Sequence, residues 1–271
     1  MSLVADAQSG QETPGEGGAD GEVPAYYRRI APFLDEELAD RGDGPLWEWA
    51  AGQPGGCRVL EIGAGTGRAT AFLARLAARV VALDLSLELL ALARARLRAT
   101  PQVQLFAGDM RSFGLSARFD LVAAADDPFA HLLADDDRDA ALAVAARHIA
   151  PGGRLILDAA WFTHRRRRLA ARPQGLVIES FRGGGGGQLS MREEVRCVAG
   201  RLCVTRIEYR RDGQLLAEAS FRSRLWSLAE LGRRCRTAGL QITAMWGDFD
   251  RRPWSRRHSS RLIVEARPRQ R

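Results

Sequence analysis

The sequence predicts an α/β fold: a doubly wound, mostly parallel sheet of seven strands, with an antiparallel β meander inserted after the fifth. Three patterns carry that prediction. From residue 59 to residue 160, short apolar runs alternate with amphipathic segments, as strands joined by crossover helices do. From 176 to 226 the pattern changes to period-two alternation punctuated by turns, the signature of an antiparallel ribbon. A helix and two more strands then follow, so the parallel domain resumes after the interruption.

The elements can be taken in order. Residues 1–23 are rich in Gly and Glu and poor in large apolar side chains, and are expected to be a disordered tail. Residues 24–50 form two helical pieces broken at Gly42-Asp43-Gly44-Pro45. The strands VLEIG (59–63), VVALDLS (80–86), VQLFAGD (103–109), FDLVAAA (119–125) and RLILDAA (154–160) alternate with helices. The last of these helices, starting at Asp135, is expected to stop only at Pro151-Gly152-Gly153. The meander follows as LVIESFR, QLSMREEVRCV, RLCVTRIEYR and QLLAEASFRSRLW; the five glycines 183–187 are expected to be a loose hairpin connection. The helix SLAELGRRCRTAG and the strands LQITAMWGDF and SRLIVEARP finish the domain. The expected organisation is a main domain of residues 51–161 and 227–268, with 162–226 inserted.

With 271 residues and 46% hydrophobic content, the chain can bury the core of one domain with a subdomain. No apolar run reaches the roughly 18–20 residues of a membrane span, and no basic segment leads into an apolar one at the start. Four scattered cysteines, Cys57, Cys197, Cys203 and Cys235, include no C-x-x-C pair. They point to a reducing, cytoplasmic setting with buried or idle thiols, although Cys197 and Cys203 could face each other across a hairpin. No His, Asp or Glu set has metal-ligand spacing, so no metal is expected.

The net charge of +7 hides an asymmetry. Residues 1–150 hold 14 Arg against 22 acids, and residues 151–271 hold 26 Arg against 11. Lysine is absent, which fits the codon bias of a GC-rich genome. Arginine content alone is therefore weak evidence for nucleic-acid binding, and the run Arg165–Arg168 is expected to be a solvated face.

The chemistry concentrates in RVLEIGAGTGRA (58–69), a strand running into glycines 63, 65 and 67. A dinucleotide fingerprint needs a glycine where Arg68 stands, and a Walker loop needs a Gly-Lys-Ser/Thr that is absent. Glu61, inside the strand, is costly unless it meets a donor or a cation. It suits a ligand with an ammonium and a sulfonium better than a pyrophosphate. Asp84 ends the second strand, where a carboxylate can accept both hydroxyls of a ribose. Asp109 and Met110 end the third, where an acid can accept from an adenine amino group while Met110 packs on the ring.

Together with FAGDM, FDLVAAADDPFAHLL and IAPGGRLILD, these motifs resemble the class I S-adenosylmethionine-dependent methyltransferases, which have a Rossmann-like sheet, over residues 24–268. The resemblance implies that Glu61, Gly63, Gly65 and Gly67 line the methionine moiety of S-adenosylmethionine. It places Asp84 and Leu85 at the ribose, Asp109 and Met110 at the adenine, and Ala125 against the cofactor.

For the acceptor, AAADDPFAHLL (123–133) is similar to the loop of small-molecule glycine N-methyltransferases and deoxyaminosugar N,N-dimethyltransferases, which share a His-Leu at His131-Leu132. Residues 24–50 then correspond to their helical lid, with Tyr27 at the lid tyrosine and Leu34 in place of a second aromatic. His131, with Tyr27, is a candidate general base or substrate contact. Asp126, Asp127, Phe129 and Trp161 are candidate acceptor contacts; the two aspartates would favour a cationic amine or a sugar if they face it, and open a turn if they do not.

The expected activity is methylation of a small polar metabolite: N-methylation of an amine, such as an amino sugar or amino-acid derivative, with O-methylation of a natural-product hydroxyl as the alternative. Nucleic-acid methylation and cofactor binding without turnover are weaker readings. The meander would cover the substrate or form a homodimer.

Overall fold

A computed structural model describes residues 19–39, 41–159, 172, 175–184, 187–199 and 201–269. Trp161 and the arginines 165–168 lie outside them. The predicted doubly wound sheet is present. Helices α1 (Ala19–Glu37) and α2 (Gly44–Ala51) come first. Strand β1 (Arg58–Ile62), helix α3 (Arg68–Ala74), β2 (Arg79–Asp84), α4 (Leu87–Arg96) and β3 (Val103–Ala107) form one wing. Strand β4 (Phe119–Ala124), a 3-10 turn (Pro128–His131), α5 (Asp135–Arg147) and β5 (Ile149–Ala159) start the other. Strands β6 (Leu176–Gly184), β7 (Gly187–Ala199), β8 (Leu202–Arg211) and β9 (Gln214–Arg224) precede α6 (Leu228–Thr237), β10 (Leu240–Trp246) and β11 (Leu262–Pro268).

The main sheet has the order β10-β11-β5-β4-β1-β2-β3, with β11 antiparallel to both of its neighbours. Strands β1 and β4 pair in parallel, Val59 against Leu121 and Glu61 against Ala123. The connections from β1 and β4 lead to opposite sides, so a crevice opens beyond the carboxyl ends of these two strands. Pleating sends Leu60 and Ile62 to the layer containing Leu142 of α5 and Leu231 of α6. It sends Val59 to the layer containing Trp47 of α2 and Leu73 of α3.

Three boundaries differ from expectation. Helix α1 begins at Ala19, inside the segment expected to be a disordered tail. Helix α5 ends at Arg147, and Ile149 already pairs with Phe119. Pro151 biases the residue before it toward extended backbone, and both Ile149 and Ala150 gain burial by joining the sheet. In the glycine run, Gly183 pairs with Gln188 and Gly184 with Gly187, so the strands continue nearly to the hairpin tip.

The second sheet is an antiparallel meander, β6-β7-β8-β9. Its inner face carries Leu189, Ile207, Tyr209 and Ala219, which pack against Tyr26 and Ile30 of α1. Its outer face carries ion pairs, including Arg192 with Glu179 and Arg206 with Glu218. Cysteines 197 and 203 do not stay idle: antiparallel register sets them opposite each other as a disulfide.

Trp226 anchors the return from this meander. Its ring is 1% exposed and lies 3.9 Å from the Arg138 guanidinium, and its Nε1 donates to Asp127 Oδ1 at 3.3 Å. Ser227 then caps α6, accepting from the Glu230 amide at 3.1 Å. Replacing Trp226 with Ala removes a large buried ring and a partner of a buried carboxylate. We expect a loss of about 3–5 kcal/mol, read as a lower denaturation midpoint in urea.

Candidate active site

The glycine turn after β1 is shaped by what lies against it. Gly63 has φ +76°, and a Cβ there would stand 2.7 Å from Pro128 Cβ. Only glycine allows both this backbone and that approach. At Gly65 (φ +56°) an added Cβ would meet no atom within 4 Å. Gly65 lines an open cavity, so the missing side chain leaves room for a ligand. Asp84 holds the turn from beneath: Oδ2 accepts from the Gly65 amide at 2.8 Å and Oδ1 from the Ser86 amide at 2.9 Å. Burial raises its carboxyl above the usual range, against those two bonds.

The cavity measures about 640 Å³ and runs from the end of β3, across the glycine turn, to α1 and the inner face of the second sheet. Glu61, Gly63, Gly65, Asp84, Leu85, Asp109, Met110 and Ala125 all line it. Gly67 does not; with φ +78°, it caps the start of α3 and packs against Ala93 and Leu97. Glu61 is fully buried, and neither of its oxygens has a hydrogen-bond partner among the described residues. Burial pushes its carboxyl up to about 8. Asp109 is engaged by Arg111, whose Nε donates to Oδ2 at 2.9 Å and whose amide donates to Oδ1 at 2.8 Å. Burial opposes ionisation there, but Arg111 holds the carboxyl below its ordinary value.

At the other end, Tyr27 Oη lies 2.9 Å from His131 Nε2, and His131 Nδ1 is buried without a partner among the described residues. Burial lowers the His131 imidazole to about 4, against the opposite pull of Asp126. Burial also raises the Tyr27 phenol. His131 further packs against Phe221 of β9, with ring centroids 5.3 Å apart.

Asp126 and Asp127 both adopt left-handed backbone, φ 60° and 48°, so their side chains diverge. Asp126 faces the cavity rim and pairs with Arg41 at 2.7 Å. Asp127 is 3% exposed; burial pushes it up to about 7, against the nearby Arg138 guanidinium.

One expected contact is corrected. Phe129 is fully buried in the main core beside Leu132 and Trp226, because the 3-10 turn rotates its ring away from the cavity. Other residues on the wall carry no sequence motif. Arg41, between α1 and α2, reaches Asp126 and Asp158 at 2.7 Å and Asp43 at 3.3 Å. Arg68 binds Asp43 as well, at 2.7 Å. Glu37 and Glu193 also face the cavity. For Glu193 a signal existed: in MREEV, alternation puts it on the same face as the apolar Met191 and Val195.

Residues 59–153 match the family model described as a methyltransferase domain. The chain is 36% identical over 109 residues to the dTDP-3-amino-3,6-dideoxy-alpha-D-glucopyranose N,N-dimethyltransferase of Streptomyces fradiae, covering 40% of this chain and 42% of that one. Residues 59–153 carry a methyltransferase domain. The match therefore spans under half the length of that sugar-modifying relative. The cypemycin N-terminal methyltransferase of a Streptomyces species aligns more extensively, 28% identical over 77% of this chain and 82% of its own. The structure of the CcbJ methyltransferase from Streptomyces caelestis shares the fold, with TM-score 0.75 at 24% identity over 90% of this chain and 98% of that one. A buried carboxylate beside a side-chain-free turn fits a ligand that carries an ammonium.

Burial at Glu61 also has a consequence for the stability of the ligand-free protein. A carboxyl raised in the folded state contributes stability that is fully present below pH 4.5 and is lost as the pH rises through about 8. Glu61→Gln should remove much of that slope, leaving the parts due to the other raised carboxyls, Asp84, Asp127 and Asp158, and should make the ligand-free protein more stable than wild type at pH 9. Denaturant titrations across pH 5–9 would show this; parallel slopes in the two proteins would contradict it.

Proposed function

We propose that the protein transfers a methyl group from S-adenosylmethionine to the amine of a small metabolite. The observation that carries this reading is the shared cavity: the glycine turn and the Tyr27–His131 pair line one continuous space. Methyl transfer is an in-line displacement, so its main demand is alignment of donor and acceptor in a site shielded from water.

When bound, S-adenosylmethionine supplies an electrophilic methyl group on a sulfonium. Glu61 suits its ammonium and Arg41 its carboxylate, which would match the two charges of the methionine end. Asp84 keeps lone pairs for ribose hydroxyls after bonding the Gly65 and Ser86 amides. Met110 supplies an apolar surface for the adenine, and Asp109, held by Arg111, closes that end.

His131 is neutral at physiological pH because its basicity is depressed to about 4. It is therefore better suited to orient a neutral amine lone pair than to store a proton. In one tautomer Nε2–H donates to Tyr27 and leaves a lone pair on Nδ1. In the other the Tyr27 hydroxyl donates to Nε2, and Nδ1–H is the free donor. Both keep the ring fixed between the lid and the β4 loop. The extensive alignment with an enzyme named for N-terminal methylation, and the shorter one with an amino-sugar N,N-dimethyltransferase, support nitrogen as the atom methylated.

Two outcomes test this. Asp84→Ala should weaken S-adenosylhomocysteine by about 100-fold or more in calorimetry, since it loses both the ribose acceptor and the support of the turn. His131→Ala should bind S-adenosylhomocysteine within about threefold of wild type yet turn over about 100-fold more slowly. The acidic limb of kcat in wild type should follow the pKa of the chosen acceptor amine and show no inflection near 6.5, because His131 does not titrate there. Unchanged turnover in His131→Ala would remove that residue from the chemistry.

A further inference from the structure

Asp43 stands at the N-cap of α2, yet its side chain does not cap the helix. Its carbonyl accepts from the Leu46 and Trp47 amides at 3.1 and 3.3 Å. An aspartate in this place ordinarily turns its carboxylate onto a first-turn amide. Here no such bond forms. The carboxylate is fully buried, and Arg68 grips it with both Nη atoms, Nη2 lying 2.7 Å from Oδ2. Arg41 Nε stands 3.3 Å from the same oxygen, and Trp47 Nε1 donates to it at 3.0 Å. Burial opposes ionisation, but Arg68, Trp47 and Arg41 together hold the carboxyl below its ordinary value.

Asp43 does not itself line the cavity, whereas both of its guanidinium partners do. Arg41 by itself would suit an anion poorly, because Asp126 and Asp158 already bind its two Nη atoms at 2.7 Å. Asp43 brings Arg68 to the same wall as a second cation. A further group makes that placement matter. Glu61 also lines the cavity, with both oxygens unpartnered among the described residues. Burial drives its carboxyl up, and Arg68 is near enough for its charge to oppose that rise. A guanidinium released beside an unmatched buried carboxylate would pair with it, since each offsets the other's cost of burial.

The amino-acid end of S-adenosylmethionine carries its ammonium and its carboxylate on one carbon. A site for it needs a carboxylate and a guanidinium close together but not bonded to each other. We propose that Asp43 is a positioning residue: it holds Arg68 beside Arg41 and away from Glu61, so that the carboxylate and the ammonium of the methionine end each meet a group of opposite charge. This inference rests on the reading that S-adenosylmethionine occupies the cavity. A role limited to balancing charge predicts the opposite effect of removing Asp43, since two less shielded cations would attract the carboxylate more strongly.

The test titrates the full chain in a calorimeter with S-adenosylhomocysteine and with 5′-methylthioadenosine. The second probe keeps the nucleoside and the sulfur but lacks the amino-acid end. We expect wild type to bind S-adenosylhomocysteine about 100-fold tighter than 5′-methylthioadenosine. In Asp43→Asn that preference should fall to about tenfold or less, while 5′-methylthioadenosine stays within about threefold of wild type. Asp43→Ser, whose hydroxyl can cap α2, should give the same result with the helix start supported. No preference in wild type, an unchanged or increased preference in the variants, or an equal loss of both ligands would each overturn the proposal. So would loss of the folded circular dichroism spectrum in both variants, because Asp43 would then serve the fold. Failure of wild type to bind either ligand would instead overturn the underlying reading of the cavity, and this proposal with it.

Discussion

The contact between Gly63 and Pro128 is the constraint on which the rest of the site depends. Strands β1 and β4 lie side by side, and the segments leaving them must share the space beyond their carboxyl ends. They can do so because position 63 has no side chain where the Pro128 ring sits. That approach brings the β4 loop over the glycine turn and forces a tight reversal at Asp126 and Asp127, taken in left-handed backbone. Asparagine and aspartate bear that conformation better than most residues. The reversal then delivers His131 to Tyr27 on the opposite wall. One close backbone approach thus places the cofactor turn and the acceptor pair in a single chamber.

The polar interior has a consistent logic around that contact. Carboxylates gather where backbone amides or guanidinium groups can meet them, as Asp84 does beneath Gly65 and Asp43 does between Arg68 and Trp47. Glu61 departs from this pattern, being buried with its oxygens unmatched. An unmatched buried carboxylate costs stability, and a fold retains such a cost where a ligand offsets it. The same logic extends to α1. It packs on the second sheet through Tyr26 and Ile30 and meets the main domain through polar links, Thr66 to Asp35 at 2.5 Å and Arg28 to Glu88 at 2.9 Å. The helix that covers the cavity therefore belongs to the apolar core of the meander more than to that of the main domain.

Much of this was legible in the sequence because it depends on short-range pattern. Period and turn chemistry locate each strand of both sheets, and the ends of β1, β2 and β3 place Glu61, Asp84 and Asp109 around one crevice. Features set by register or by distant segments were not legible. Arg41 meets carboxylates 85 and 117 positions away, a pairing that no local pattern shows. The place of Phe129 is not legible either, because the 3-10 turn after β4 carries its ring into the core. Cys197 and Cys203 became partners through the β7–β8 register, which composition and spacing left open.

The most direct measurement of the central claim is a crystal structure of the full chain grown with S-adenosylhomocysteine. The account predicts the methionine end on the turn from Gly63 to Gly65, with its ammonium at Glu61, the ribose on Asp84 and the adenine beside Met110. The sulfur should face the space in front of Tyr27 and His131. A ligand bound elsewhere, or a sulfur turned away from that pair, would contradict it.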